Sequence, residues 1–377
     1  MSAIPTRVDL PPVRIIGTGL IGTSIGLALR RVGVDPLLQD QSTTAMALAR
    51  DLGAGRMGPR LGYDDEGTEE PGLVIVAIPP DITPRIVADA LERWPGAVVT
   101  DVASVKGVVL ADLVRLGAPL ERYVGSHPMA GRERSGAIAA RPDLFQGRAW
   151  VICVEEETHE ASIALIERLA HAVGAAVTRL TATEHDAAVA AVSHVPQVAA
   201  SLVAARLEDL TEDAVGLAGQ GVRDVTRIAA SEPSLWTQIL AGNAAAVRDV
   251  LAVVRDDLSA LVDALGELGD GLDRDAPGAR AVLAKAIADG NAGRARIPGK
   301  HGAAPTLYTI VSVVVGDAPG ELARLLADIG EAGVNLEDMR LDHGLGLPFG
   351  IADISVLPSA AGHLEDALTA KGWQLHG

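Results

Sequence analysis

Residues 13–32 constrain the fold more than any other stretch of this chain. Val13-Arg14-Ile15-Ile16 reads as a short buried strand, Gly17-Thr18-Gly19-Leu20-Ile21-Gly22 as a turn, and Ile21 to Val32 as a helix with small residues on one side. Glycines at this spacing, between a strand and a helix, have separate steric jobs. Gly17 permits the tight turn, Gly19 lets the backbone approach a pyrophosphate, and Gly22 lets the helix pack closely on the strand. The pyrophosphate then meets a helix N-terminus, where free amides and the helix dipole favour an anion. The next strand, Leu37-Leu38-Gln39-Asp40, ends on an acid at the spacing expected for a carboxylate on the adenosine ribose hydroxyls. That charge would repel a 2′-phosphate, and Gln41-Ser42-Thr43-Thr44 supplies no arginine to offset it, so the expected cofactor is NAD rather than NADP.

The apolar run Leu73 to Ile78 is typical of a parallel strand covered on both faces, and Pro79-Pro80 ends it. Ala97 to Asp101 and Ala149 to Val154 read as further strands. Strands alternating with helical stretches imply a doubly wound α/β domain over residues 1–155. Residues 156–290 read as helices. Val247, Val250, Leu251, Val254, Leu258, Leu261, Val262, Leu265 and Leu268 follow helical spacing, a stripe suited to packing within the chain or to a dimer. Residues 291–305 are rich in Gly, Pro, Ala and basic residues and read as a linker. Residues 306–377 read as a small α+β module of the ferredoxin-like type. A strand from Leu307 to Val315 is followed by a turn at Asp317-Ala318-Pro319-Gly320, a helix from Glu321 to Ala332, a strand from Ile351 to Leu357 and a helix from Leu364 to Lys371.

The chain of 377 residues is too long for one core, and its composition is that of a globular protein. A net charge of −17 without any Lys/Arg run argues against nucleic acid or an anionic membrane as partner. One cysteine, Cys153, excludes an intramolecular disulfide and reads as a buried small hydrophobe. No apolar run approaches a membrane span, so the expected location is the cytoplasm. No metal site is expected.

Three further segments carry chemistry. Gly125-Ser126-His127-Pro128-Met129-Ala130-Gly131 places a histidine on a Gly/Pro-bounded loop after a strand at Tyr123-Val124, where open α/β sheets bind ligands. A histidine beside a dinucleotide site suits base-assisted hydride transfer near neutrality. Asp101-Val102-Ala103-Ser104-Val105-Lys106 puts Ser104 at a strand end, able to orient His127 or touch the nicotinamide, or else to cap a helix; Lys106 reads as a solvated or structural charge. Arg223 and Arg227 lie one helical turn apart, and a guanidinium in a dry cleft binds a carboxylate in bidentate fashion; a surface ion pair is the plainer alternative.

In this order the segments resemble the prephenate/arogenate dehydrogenase family of tyrosine biosynthesis. The resemblance covers about residues 13–240 and includes Val76-Ala77-Ile78-Pro79-Pro80, Thr183-Glu184-His185-Asp186 leading to Ser193-His194-Val195-Pro196, and Arg223 to Ala229 with Trp236 beyond. The tail, with Asp317, Gly320 and Asn335, looks like an ACT regulatory domain. The resemblance implies NAD-dependent oxidative decarboxylation of prephenate to 4-hydroxyphenylpyruvate. His127 would take the ring hydroxyl proton, Ser104 would link histidine and nicotinamide, and Arg227 would bind a substrate carboxylate. Gly221 and Trp236 would line the pocket. Gly17, Thr18, Gly19, Leu20, Ile21, Gly22, Asp40 and Pro79 would hold the cofactor. It further implies a homodimer and a tyrosine effector at Asp317, Gly320 and Asn335. Some prephenate-specific members carry a histidine where this chain has Gln197. Glutamine can donate to a keto oxygen or accept from an ammonium, so arogenate is the alternative substrate. A non-catalytic regulator binding NAD and an amino acid, or a 3-hydroxy-acid dehydrogenase, would not explain the joint presence of Ser104, His127 and Arg227.

Overall fold

The computed structural model describes residues 8–62, 69–131, 136–269, 276–297, 308–343 and 348–376. The chain divides into two compact units, Met1–Arg255 and Asp256–Gly377.

The first unit is built on eight strands: β1 (Val13–Ile16), β2 (Leu37–Gln39), β3 (Arg56–Met57), β4 (Leu73–Val76), β5 (Val98–Asp101), β6 (Tyr123–Pro128), β7 (Ala149–Cys153) and β8 (Ala176–Leu180). They lie in the order β3-β2-β1-β4-β5-β6-β7-β8. All neighbours are parallel except β6 and β7, which pair antiparallel, Ser126 with Ile152, His127 with Val151 and Pro128 with Trp150. Alternation sorts the strand residues onto two apolar layers. Ile15, Leu38, Ile75 and Ile152 face one layer with Ile25 and Leu29 of α1 (Leu20–Arg31) and Ile166 and Leu169 of the later helix at Glu160–Ala172. Ile16, Val74, Val76 and Val99 face the other, with Val87 and Leu91 and with Val109 and Leu113 of the helices that follow β4 and β5. The helices after α1 are α2 (Thr43–Asp51), α3 (Thr83–Arg93), α4 (Gly107–Arg115) and α5 (Glu160–Ala172).

The sheet reaches residue 180, beyond the boundary at 155 read from sequence. β8 was hidden because Ala176–Leu180 is half to fully exposed and carries no apolar run. His127 stands on β6 rather than on a loop, since antiparallel pairing with β7 extends that strand to Pro128.

Helices follow: α6 (Ala182–Val189), α7 (Val195–Ala205), α8 (Glu212–Val215), α9 (Gln220–Thr226), α10 (Pro233–Gly242) and the start of α11 (Ala244–Gly269). A capping box starts α6: the Thr181 hydroxyl accepts from the Glu184 amide while the Glu184 carboxylate accepts from the Thr181 amide. A π turn at Ala190–His194 joins α6 to α7, with Pro196 just inside α7. The 24-residue run Ala182–Ala205 has the length and hydropathy of a membrane span. Its buried residues include His185, Asp186, His194 and Gln197, and the bonds these make lie inside the unit.

The second unit holds the rest of α11 and α12 (Ala279–Arg294), joined through Ala264, Ala276 and Ala279. Residues 291–294 are thus the last turn of a helix, not linker; 298–305 lie outside the described residues. Next come β9 (Thr309–Gly316), α13 (Glu321–Glu331), β10 (Asp338–His343), β11 (Phe349–Val356), α14 (Pro358–Ala370) and β12 (Gln374–Leu375). The antiparallel order β10-β11-β9-β12 is the ferredoxin-like arrangement expected. Val313, Leu325, Ile354, Leu364 and Trp373 form its core.

Candidate active site

β1, β4, β5 and β6 are consecutive parallel neighbours, so their carboxyl ends share one edge of the sheet. The glycine turn follows β1. Gly17 has φ +101°, and a Cβ on it would lie 2.2 Å from the Ala77 carbonyl oxygen; a Cβ on Gly22 would lie 1.9 Å from the Gly17 oxygen. Nothing stands within 4 Å of where a Cβ on Gly19 would be, which leaves open space above the turn. Gly19 is the N-cap of α1 and no side chain caps it, so the Leu20, Ile21 and Gly22 end of the helix offers its amides to an anion. Pro79 lies after β4 on the same edge, its carbonyl accepting from the Thr83 hydroxyl at 2.9 Å. These features fit a dinucleotide.

Asp40 directly follows β2. Its Oδ2 accepts from the Thr18 amide at 2.7 Å and the Thr18 hydroxyl at 2.9 Å, and its Oδ1 from the Ser42 amide at 2.9 Å. The acid therefore ties the second strand to the glycine turn. Arg60 comes in from beyond β3 to donate to the Gln41 carbonyl at 2.6 Å. Sequence had placed no arginine here, because Arg60 is distant in the chain. A cavity of about 220 Å³ opens beside the end of β2, lined by Gln39, Gln41, Leu61, Ile86 and Asp89 among others.

The loop from β5 to α4 is fixed by buried charge. Lys106, 1% exposed, pairs with Asp101, which also accepts from the Tyr123 hydroxyl at 2.7 Å and the Ala103 amide at 2.9 Å. Lys106 is thus a structural charge and not a solvated one. Burial and the Asp101 carboxylate push the Tyr123 hydroxyl far above its usual value, so it remains a donor. Burial pushes the Cys153 thiol up to about 12, which makes it an inert core residue. Ser104 lies half-buried on this loop, two residues before Lys106; the N-cap of α4 is Lys106 rather than Ser104. Among the described residues no hydrogen bond joins Ser104 to His127.

His127 instead meets His185. Its Nδ1 lies 2.8 Å from His185 Nε2, and the rings stand at 71°. His185, fully buried in the first turn of α6, places its Nδ1 2.8 Å from Asp186 Oδ1. Asp186 in turn accepts from the Lys106 amide at 2.9 Å and the Gly107 amide at 2.8 Å, the free amides at the start of α4. Burial by itself would raise the Asp186 carboxyl. The hydrogen bonds from His185 and the two amides outweigh it and hold Asp186 below the usual carboxylate range. Burial, then His185, Lys106 and His194, press His127 well below the usual histidine value. The sequence alone assigns no role to His185 and Asp186; their one signal is a His-Asp pair just inside a capping box.

Asn243, after α10, donates to the Asp186 carbonyl at 2.8 Å and lies 3.2 Å from His194 Nδ1. Trp236 packs edge-on to His194, with centroids 6.1 Å apart. Gln197 is buried, 3.4 Å from both Ser201 and Ser231 hydroxyls. Gly221 and Arg223 are exposed on α9, and Arg227 is exposed in the 3-10 turn after it; α7, which carries Gln197, packs against both elements. The fold therefore gathers His127, Lys106, His194 and Trp236 around His185 and Asp186, whereas Arg227 stands at the surface of the chain. In the second unit Asp317 and Gly320 (φ +98°) are exposed before α13, and exposed Asn335 donates to Glu337 at 2.7 Å.

Residues 25–179 match the family described as "Prephenate dehydrogenase, nucleotide-binding domain". Residues 181–271 match "Prephenate dehydrogenase, dimerization domain". A protein of Streptomyces niveus named "Probable prephenate dehydrogenase NovF" is 37% identical over 361 residues, which is 95% of this chain and 98% of that one. A cyclohexadienyl dehydrogenase of Zymomonas mobilis is 31% identical over 63% of this chain and 83% of its own. The crystal structure of prephenate dehydrogenase from A. aeolicus with hydroxyphenyl propionate and NAD+ superposes with a TM-score of 0.65 at 26% identity, covering 77% of this chain and 99% of that one. This chain, in its α/β unit and the helices that follow, belongs to the prephenate dehydrogenase family.

Proposed function

We propose that this chain catalyses the NAD-dependent oxidative decarboxylation of prephenate to 4-hydroxyphenylpyruvate, with His127 as its base. The observation that carries the reading is His127 itself, a histidine pressed toward its neutral form in the same unit as an uncapped dinucleotide turn. NAD+, when bound, supplies the hydride acceptor. Gly17 to Gly22, Asp40 and Pro79 would hold it, and the cavity beside Gln39 and Gln41 supports this with room for the adenosine end. Neutral His127 holds the ring hydroxyl and removes its proton. Ser104 orients the hydroxyl against the nicotinamide, and Arg227 binds a carboxylate of the dianionic substrate, reversing locally a chain charge of −17. Loss of carbon dioxide makes the ring aromatic, which supplies driving force, so the chain chiefly positions and deprotonates.

Gln197 supports arogenate as a second substrate, because its neutral amide can turn either a donor or an acceptor to the side chain. Steady-state assays with each substrate and each of NAD+ and NADP+ test the reading. Prephenate with NAD+ should be the fastest pair, and its failure to turn over would end the proposal. His127→Asn should lower kcat by about 10²-fold or more while NAD+ binding survives.

The assembly is a homodimer through the helices. Leu258, Val262 and Leu265 of α11 are 58%, 59% and 54% exposed and form an apolar stripe that light scattering should find covered by a second copy. The ferredoxin-like module acts as an ACT-type sensor, with tyrosine bound near Asp317, Gly320 and Asn335.

A further inference from the structure

His127, His185 and Asp186 form one line of hydrogen bonds, and its polarity follows from its far end. The Asp186 carboxylate has no proton to give and receives two backbone amides from the start of α4. His185 Nδ1, 2.8 Å from it, must therefore carry a hydrogen. A neutral His185 then presents a bare Nε2 to His127, and His127 Nδ1, 2.8 Å away, must donate. That leaves the lone pair of neutral His127 on Nε2. The other protonation pattern, with His127 Nδ1 accepting, needs His185 to be an imidazolium.

We propose, resting on the reading of His127 as the base, that His185 and Asp186 are positioning residues that fix His127 as the Nδ1–H tautomer and receive the charge when it accepts a proton. In the forward step the substrate O–H bond breaks and its proton bonds to His127 Nε2. The Nδ1 proton of His127 then moves to His185 Nε2, which leaves an imidazolium at His185 against the Asp186 carboxylate and a neutral His127. The charged groups around this line are Lys106, from the β5–α4 loop, and His194, from the π turn. Lys106 opposes a cation at His127, as does His194 when protonated. The carboxylates beside them are Asp101, paired with Lys106, and Asp186, which acts on His194. The anchor requires Gly107, since a Cβ there would lie 2.8 Å from Asp186 Oδ2.

Two measurements on the full chain with NAD+ test this. Nitrogen-15 NMR of neutral His127 should show a protonated Nδ1 and a bare Nε2. The opposite tautomer in the wild type overturns the proposal. His185→Gln keeps the Asp186 anchor and can still accept from His127, but cannot take up a proton. It should lower kcat about tenfold or more, displace the acid limb of the kcat profile, and leave NAD+ affinity unchanged. Gly107→Ala should act in the same direction with all three side chains intact. A His185→Gln enzyme with wild-type kcat and pH profile overturns the positioning alone when His127→Asn is inactive. An active His127→Asn overturns the base reading and the positioning with it.

Discussion

At the scale of single residues, the behaviour of His127 with pH follows from its surroundings. Burial comes first, then His185, Lys106 and His194, and all lower its affinity for a proton. A base works when it is neutral, so activity persists as pH falls below the ordinary histidine value of about 6.5 and fails at the lower value His127 holds in the fold. The acid limb of kcat/KM for prephenate should therefore lie below pH ~6.5; a midpoint at or above that would mean His127 is not desolvated when it acts. The same residue shows how far sequence could reach. His127 was legible because glycine and proline bound it and a dinucleotide turn precedes it. His185 was not, because its partner lies 58 residues away and only the packing of α6 brings the rings together. Asp40, expected as the last residue of β2, lies one residue past it, and its bonds to Thr18 and the approach of Arg60 depend on the sheet being assembled.

Among elements, the β5–α4 loop matters most, because it carries half-buried Ser104 and offers two amides to Asp186. Its rigidity comes from a lysine and an aspartate that are both almost wholly buried. Removing one partner of such a pair leaves an uncompensated charge, at a cost of about 3–5 kcal/mol. Asp101→Asn should lower stability by roughly that amount in urea unfolding, since it also loses the carboxylate that receives the Tyr123 hydroxyl. A loss under ~1 kcal/mol would show that water reaches Lys106. The strands β1, β4 and β5 were legible from their apolar runs, which parallel strands covered on both faces require. β8 was not, because it lies at the sheet edge and is largely exposed. The π turn was also hidden. An extra residue in a helix leaves no periodic trace over so short a stretch, yet this one carries His194 toward Asn243 and Trp236.

For the whole molecule, the sensing role proposed for the second unit can be told apart from product inhibition at the first. The module has a closed apolar core of its own, and its Asp317–Gly320 turn and Asn335 are exposed rather than spent on packing. Residues free of packing duty at the head of α13 are available to an amino acid, whose carboxylate suits the amides of a helix start and whose ammonium suits Asp317. The reaction makes 4-hydroxyphenylpyruvate, one transamination from tyrosine, so tyrosine could inhibit by either of two routes. As a product analogue it would compete with prephenate, and its effect would vanish at high substrate. As an effector of the module it would lower kcat at saturating prephenate. The full chain should show the second pattern, and Asp317→Ala and Asn335→Ala should each weaken tyrosine inhibition about tenfold while leaving uninhibited kcat unchanged, since a lost charged hydrogen bond is worth about 1.5–3 kcal/mol. Purely competitive inhibition, equal in the wild type and both variants, would assign tyrosine to the prephenate site and leave the module an assembly element.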